Sequence, residues 1–183
     1  MKYSTREMRA SDIDWFFLTL EDIPIHVASA AGILPNFIDK VNNRDVLELL
    51  GRTSNEFYNQ LLDKNFFQDT TVRQFLLDNI RINELALERV ENEQKAFYKE
   101  NRVLPLEWKE NYLISFCVMA KCGFLSFDRM DIANVYSNHY QWIADGSHNV
   151  LDENIKQKIP RISVSVENLK NTNTDWLDIL NHL

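Results

Sequence analysis

Backbone-breaking residues are scarce in this chain. Four glycines and four prolines in 183 residues are too few for the turns of an all-β fold, so helix is favoured. Cysteine is scarcer still. Cys117 and Cys122 are the whole supply, and a spacing of five puts them on different helix faces. That excludes a CxxC redox pair and half of a usual zinc site, and leaves two small apolar side chains. None of the four histidines, His26, His139, His148 and His182, follows a Glu by three residues, and HExxH is missing. Neither a carboxylate-bridged di-iron helix pair nor a zinc-protease helix is therefore expected. GxGxxG, GxxxxGK[ST] and GxSxG are absent too, so no phosphate loop or nucleophile elbow is indicated. The sequence assigns no catalytic residue, no metal and no cofactor.

Positive charge is also in deficit. Lys and Arg number 20 against 27 Asp and Glu, a net charge of −7 with a pI near 5.1. Nucleic-acid binding draws most of its affinity from phosphate neutralisation, and the cluster Lys156, Lys158, Arg161 is small for that task. No nucleic-acid partner is expected. Long apolar runs are lacking as well. Trp15 to Leu34 is broken by Glu21, Asp22, Pro24 and His26, and no signal-type run follows the N-terminus. These absences point to a cytoplasmic protein without a membrane partner.

What is present is a good core composition. Apolar residues make up 45% and aromatics 11%, enough for one domain over residues 1–183 with neither metal nor disulfide. Residues 71–102 contain no Gly or Pro, and Leu76, Ile80, Leu87, Val90 and Phe97 recur at helical steps. The spacing predicts one uninterrupted helix there, with Thr71 and Gln74 boxing its start. Asn42 or Asn43 caps a helix from Arg44, with a break near Gly51. A buried helix follows Pro105 and ends at Gly123. Another, capped by Ser126 or Asp128, carries Ile132, Val135, Tyr136, His139 and Ile143 on one side.

Extended structure is expected at the two ends. Ile13–Leu20 and Ile23–Ser29 are rich in β-branched and aromatic residues and read as a hairpin. If Glu21-Asp22 is a two-residue loop, Leu18 opposes Ile25, Phe16 opposes Val27 and Phe17 opposes His26. Arg161 to Val166 alternates polar and apolar residues and reads as a further strand. The expected fold is α+β and predominantly helical: a multi-helix bundle with a small antiparallel sheet made by the N-terminal hairpin and the C-terminal strand.

Function is less marked. The absence of assembled chemistry favours a non-enzymatic module that binds a protein partner or associates with itself. The alternative is a small-molecule-binding protein or enzyme with a pocket at the hairpin. In that reading His26, lying across from Phe17 and near Trp15, forms the pocket floor, and Gly32 lies in a small-residue turn after the second strand.

Overall fold

Residues 13–29 form the hairpin that their composition predicts. The computed structural model describes residues 1–61, 80–97, 108–131, 134 and 136–181, with backbone alone for 52–61, 94–97, 108–111 and 181. Strand β1 is Asp14–Leu18 and β2 is Pro24–Ala28, paired antiparallel. The register is one residue away from the expected one. Leu18 opposes Pro24, Phe17 opposes Ile25, Phe16 opposes His26 and Trp15 opposes Val27.

The loop explains the slip. The Thr19 N–H donates to the Ile23 carbonyl at 3.0 Å, so three residues, Leu20, Glu21 and Asp22, make the turn. Asp22 takes φ 65°, the left-handed position that closes a three-residue hairpin loop. The Thr19 hydroxyl accepts the Ile23 N–H at 3.2 Å and supports that shape. Pro24 is tolerated because strand alternation directs its nitrogen away from β1.

The sheet is larger than expected. Strands β3 (Arg81–Ile82), β4 (Leu125–Arg129) and β5 (Tyr140–Asp145) join the hairpin in the order β1-β2-β4-β5-β3. The β2–β4 pair is parallel and the others are antiparallel. A five-stranded mixed sheet thus replaces the expected predominantly helical bundle with its small antiparallel sheet. The expected helix over Ser126–Ile143 is overturned, because β4 and β5 occupy its two ends; Ile132 and Val135 lie outside the described residues. All five residues of β4 are buried; its Leu125-Ser126-Phe127-Asp128 alternation is only four residues long, and β5 loses alternation at Trp142-Ile143-Ala144, so neither gives a long strand signal.

The proposed rod over 71–102 is overturned as well. Its parts at 71–79 and 98–102 lie outside the described residues, and between them the chain is a strand before it is a helix. Arg81 and Ile82 pair with Asp145 and Ala144. Asn83 then starts helix α3 (Glu84–Phe97). Its Oδ1 accepts the Ala86 N–H at 3.2 Å, and its Nδ2 donates to the Trp142 carbonyl at 2.9 Å. One side chain caps the helix and ties it to β5.

Among the other helices, α1 (Thr5–Ala10) starts with a Ser4–Glu7 capping box. Helix α2 (Lys40–Leu61) runs through Gly51 without the expected break, and Asp39 rather than Asn42 or Asn43 caps it. Asp39 Oδ1 accepts the N–H groups of Val41 and Asn42 at 2.9 and 3.1 Å. Helix α4 (Trp108–Lys121) ends at Gly123 as expected. Gly123 has φ 101°. The Phe124 N–H reaches the Met119 carbonyl, and the Gly123 N–H the Ala120 carbonyl. This is the double bond of a Schellman motif. Short helices α5 (Glu153–Lys156), α6 (Val166–Lys170) and α7 (Trp176–Asn181) complete the chain. Asp175, not Asn173 or Thr174, caps α7.

The segment 161–165 is not a regular strand; it makes one isolated parallel bridge, Arg161 with Leu18. Its alternation is still reflected in burial, since Ile162 and Val164 are buried while Arg161 and Ser163 are exposed. Each face of the sheet has its own apolar cover. Trp176 of α7 meets Trp15, Phe17, Phe127 and Tyr140 on one side. On the other, Phe116 of α4 meets His26. Aromatic side chains of this size bury roughly 200 Å² each, about 5 kcal/mol of gross transfer free energy.

Candidate functional site

The slipped register separates the residues expected to form one pocket. Trp15 and Phe17 lie on the α7 face, stacked at 5.5 Å between ring centroids. His26 lies on the α4 face, against Phe16 at 5.5 Å and Phe116 at 6.0 Å. Trp15, Phe17 and His26 are all buried. Gly32 is elsewhere again, beyond the C-terminal end of β2.

Gly32 closes a turn, Ser29-Ala30-Ala31-Gly32, in which the Gly32 N–H donates to the Ser29 carbonyl at 2.9 Å. Ala30 and Ala31 take φ 43° and 62°, a conformation that favours glycine or asparagine. Side chains hold the turn in place. Asp12 Oδ1 accepts the Ala30 N–H at 2.6 Å. The buried Arg129 guanidinium donates to the carbonyls of Ser29 and Ala30. A Cβ on Gly32 would overlap that guanidinium and come within 2.9 Å of the Ser29 carbonyl oxygen. Glycine is needed here so that an arginine can pack against it. The turn's N–H groups at Ala30 and Gly32 already have protein acceptors.

A row of polar side chains runs under α4. His26 and Ser126 are register partners across the parallel pair, and Asp128 faces Gln141 across β4–β5. His26 Nε2 meets Asp14 Oδ1 at 3.0 Å, which fixes the Nε2–H tautomer if Asp14 is ionised. Asp, His and Ser in this order are the residue types of a nucleophilic triad. The chain of contacts is incomplete, however. Neither His26 Nδ1 nor Ser126 Oγ has a hydrogen-bond partner among the described residues. Both residues are 0% exposed, and His26 packs against the Phe16 and Phe116 rings. A serine nucleophile needs its base at hydrogen-bond distance and a path for substrate. As folded, His26 and Ser126 form part of the core, while the Asp14 side chain is 37% exposed.

Asp128 is the most perturbed carboxyl in the row. Burial pushes its pKa up to about 7, against the opposing hydrogen bonds from Tyr112 and the Arg129 N–H. Tyr112 donates to Asp128 Oδ2 at 2.7 Å and the Arg129 N–H to Oδ1 at 2.8 Å. Burial, then the Asp128 charge, raise the Tyr112 phenol well above its ordinary value. Burial likewise raises the Cys122 thiol to about 11, which keeps it unreactive.

A cleft of about 250 Å³ opens at the outer edge of β1. Ile38, Val46 and Ile159 give it apolar walls. Asn42, Asn43 and Lys158 stand around it, and Phe16 lies at its base. The edge of β1 is mostly closed. The Asp14 carbonyl accepts Asn43 Nδ2 at 2.6 Å. The Leu18 N–H donates to the Pro160 carbonyl, and its carbonyl accepts the Ile162 N–H, both at 2.8 Å. Peptide groups alternate sides along a strand, so Phe16 points to the same edge as Asp14 and Leu18. Its N–H and C=O meet no protein group among the described residues. The cleft therefore has one open peptide unit at its base. The sequence carried no signal for it, since its walls come from α2, residues 157–160 and β1.

Comparison with family models, curated proteins and solved structures returns no match for this chain. Among the described residues, no group of three or more His, Cys, Asp or Glu converges as a metal site, and no helix is long and apolar enough to cross a membrane.

Proposed function

We propose that this protein is a non-enzymatic binding domain and that its ligand, a small molecule, seats in the cleft at the outer edge of β1. The observation that carries this reading is the outward-facing peptide unit of Phe16 beside a recess lined by both apolar (Ile38, Val46, Ile159) and polar (Asn42, Asn43, Gln157) residues. The donor and acceptor of one strand residue, both open to the cleft, offer a ligand a two-point hydrogen-bond site in exchange for solvent. The volume lies just below the roughly 300–1,000 Å³ of typical small-molecule sites, which fits an occupant of few heavy atoms. The reading keeps a small-molecule site at the hairpin, the alternative of the sequence analysis, but places it at the outer edge of β1 rather than around His26, Trp15 and Phe17.

Uptake of a partner's β-strand, the commonest use of a free edge, fits less well here. Asn43 closes one end of the window and residues 160–162 the other. Among the described residues, the exposed large apolar side chains are Met1, Leu20, Val41, Leu85, Tyr136 and Val150; Met1 adjoins the start of α2 next to Val41, and the other four come from separate parts of the chain.

A thermal-shift screen against a panel of small polar metabolites tests the proposal, because a ligand selective for the folded state raises its melting point. Asn42 is exposed at the cleft, so Asn42→Trp should occlude the mouth without disturbing the core. The expected result is a stabilising compound whose effect disappears in Asn42→Trp. A panel without a stabilising compound, or stabilisation that persists in the variant, counts against the cleft.

A further inference from the structure

We infer that the cleft selects a planar, uncharged group presenting a hydrogen-bond donor and acceptor side by side, such as a primary carboxamide or a cyclic amide. This rests on the binding reading above and narrows it to a ligand class. The Phe16 N–H requires an acceptor and its carbonyl requires a donor, and both point the same way from one extended residue. An amide edge supplies both: its N–H donates to the Phe16 carbonyl while its carbonyl accepts the Phe16 N–H.

Each rival head group satisfies one half of the pair. A carboxylate accepts from the N–H but sets a second oxygen against the Phe16 carbonyl. An ammonium or amidinium donates to the carbonyl but leaves the N–H facing hydrogens. The surrounding charges do not reverse this order. Lys158 at the rim lies 3.6 Å from Asp45, and Asp39 is paired with the N-terminal ammonium.

Size adds a second restriction. Asp14 and Leu18, the last closed positions on either side, lie four residues apart. At about 3.3 Å per residue the open window is about 13 Å long, with Phe16 at its centre. Ile38, Val46 and Ile159 can cover an apolar ring or short aliphatic body attached to the amide. A polypeptide in extended form would meet Asn43 or Pro160 within about two residues of the central bond.

Matched probes test the class. Benzamide, N,N-dimethylbenzamide, benzoate and benzylamine share one ring and differ in the head group. Each is titrated into the full chain, following the amide resonances of Phe16, Asn43 and Ile159 by two-dimensional NMR. Benzamide should shift all three, with the Phe16 N–H moving furthest downfield. N,N-dimethylbenzamide, which has lost the donor, should bind about tenfold more weakly or worse, as should benzoate. If benzoate or the dimethyl amide shifts the same resonances with equal or higher affinity, the donor–acceptor inference is overturned while the cleft remains a binding site. If none of the four probes perturbs these resonances, the inference fails; if the metabolite screen is also blank, the binding reading fails with it.

Discussion

Asp128→Asn should change how stability depends on pH, and the structure gives the sign and size. Asp128 is buried with its carboxyl raised from 3.8 to about 7. Below 3.8 the carboxyl is protonated in both folded and unfolded chains. Between 3.8 and about 7 it is protonated in the folded chain alone, so folding takes up a proton. Stability from this group is full at low pH and is lost as pH rises through about 7. The whole shift corresponds to about 4 kcal/mol at 1.36 kcal/mol per tenfold change. Over the narrower window from about pH 5.5 to about pH 7.5 the loss is about 2 kcal/mol.

Asparagine imitates the protonated acid here. Its Oδ1 can accept the Arg129 N–H, and its Nδ2 can donate to the Tyr112 oxygen once that hydroxyl rotates. Urea unfolding of the native chain and Asp128→Asn at both pH values gives four free energies, and the difference of differences isolates Asp128 from every other titrating group. The native chain should lose about 2 kcal/mol more than the variant on going to the higher pH. Parallel losses in the two proteins would refute the argument, since they would mean that burial does not hold a proton on this carboxyl.

Two glycines should respond oppositely to alanine. Gly51 lies inside α2, and a Cβ there meets nothing within 4 Å, so Gly51→Ala should raise stability by about 0.5–1 kcal/mol in the same unfolding assay. Gly32→Ala should lower stability by about 2 kcal/mol or more, because the added methyl displaces the Arg129 guanidinium and leaves a buried charge without its carbonyl acceptors. An unchanged midpoint for Gly32→Ala would mean that the arginine is not fixed against that turn.

Legibility from sequence followed burial. The hairpin was readable because its residues are β-branched and aromatic between polar breaks, and the end of α4 because Gly123 follows an apolar helix. Strands β4 and β5 were not readable: the Leu125-Ser126-Phe127-Asp128 alternation is short, and Trp142-Ile143-Ala144 is an unbroken apolar run. Tyr136, His139 and Ile143 happen to fall at helical steps. His139 Nδ1 in fact lies 3.1 Å from the Thr174 carbonyl oxygen, in the loop before β5. The break at 80–83 was hidden for a different reason. Asn83 caps α3 locally, but the bond that turns the chain into a strand beside β5, from its Nδ2 to the Trp142 carbonyl, exists only once β5 is in place. Of the four expected site residues, position in chain was legible and grouping was not. Trp15 and Phe17 went to one face, His26 to the other, and Gly32 to the Arg129 turn.

A single residue in the β1–β2 loop decides where the open edge lies. With a two-residue loop at Glu21-Asp22, Leu20–Ile23, Leu18–Ile25 and Phe16–Val27 would be the hydrogen-bonded pairs, and the peptide groups of Phe16 would be consumed by β2. Phe17 would then face the edge with its backbone. Because Asp22 takes the left-handed position and the loop has three residues, the hydrogen-bonded pairs become Thr19–Ile23, Phe17–Ile25 and Trp15–Val27. The same shift that moves His26 away from Trp15 and Phe17 turns the Phe16 peptide outward, between Asn43 and Pro160. The buried polar row and the open cleft are therefore two consequences of one register, and a change in loop length should move both together.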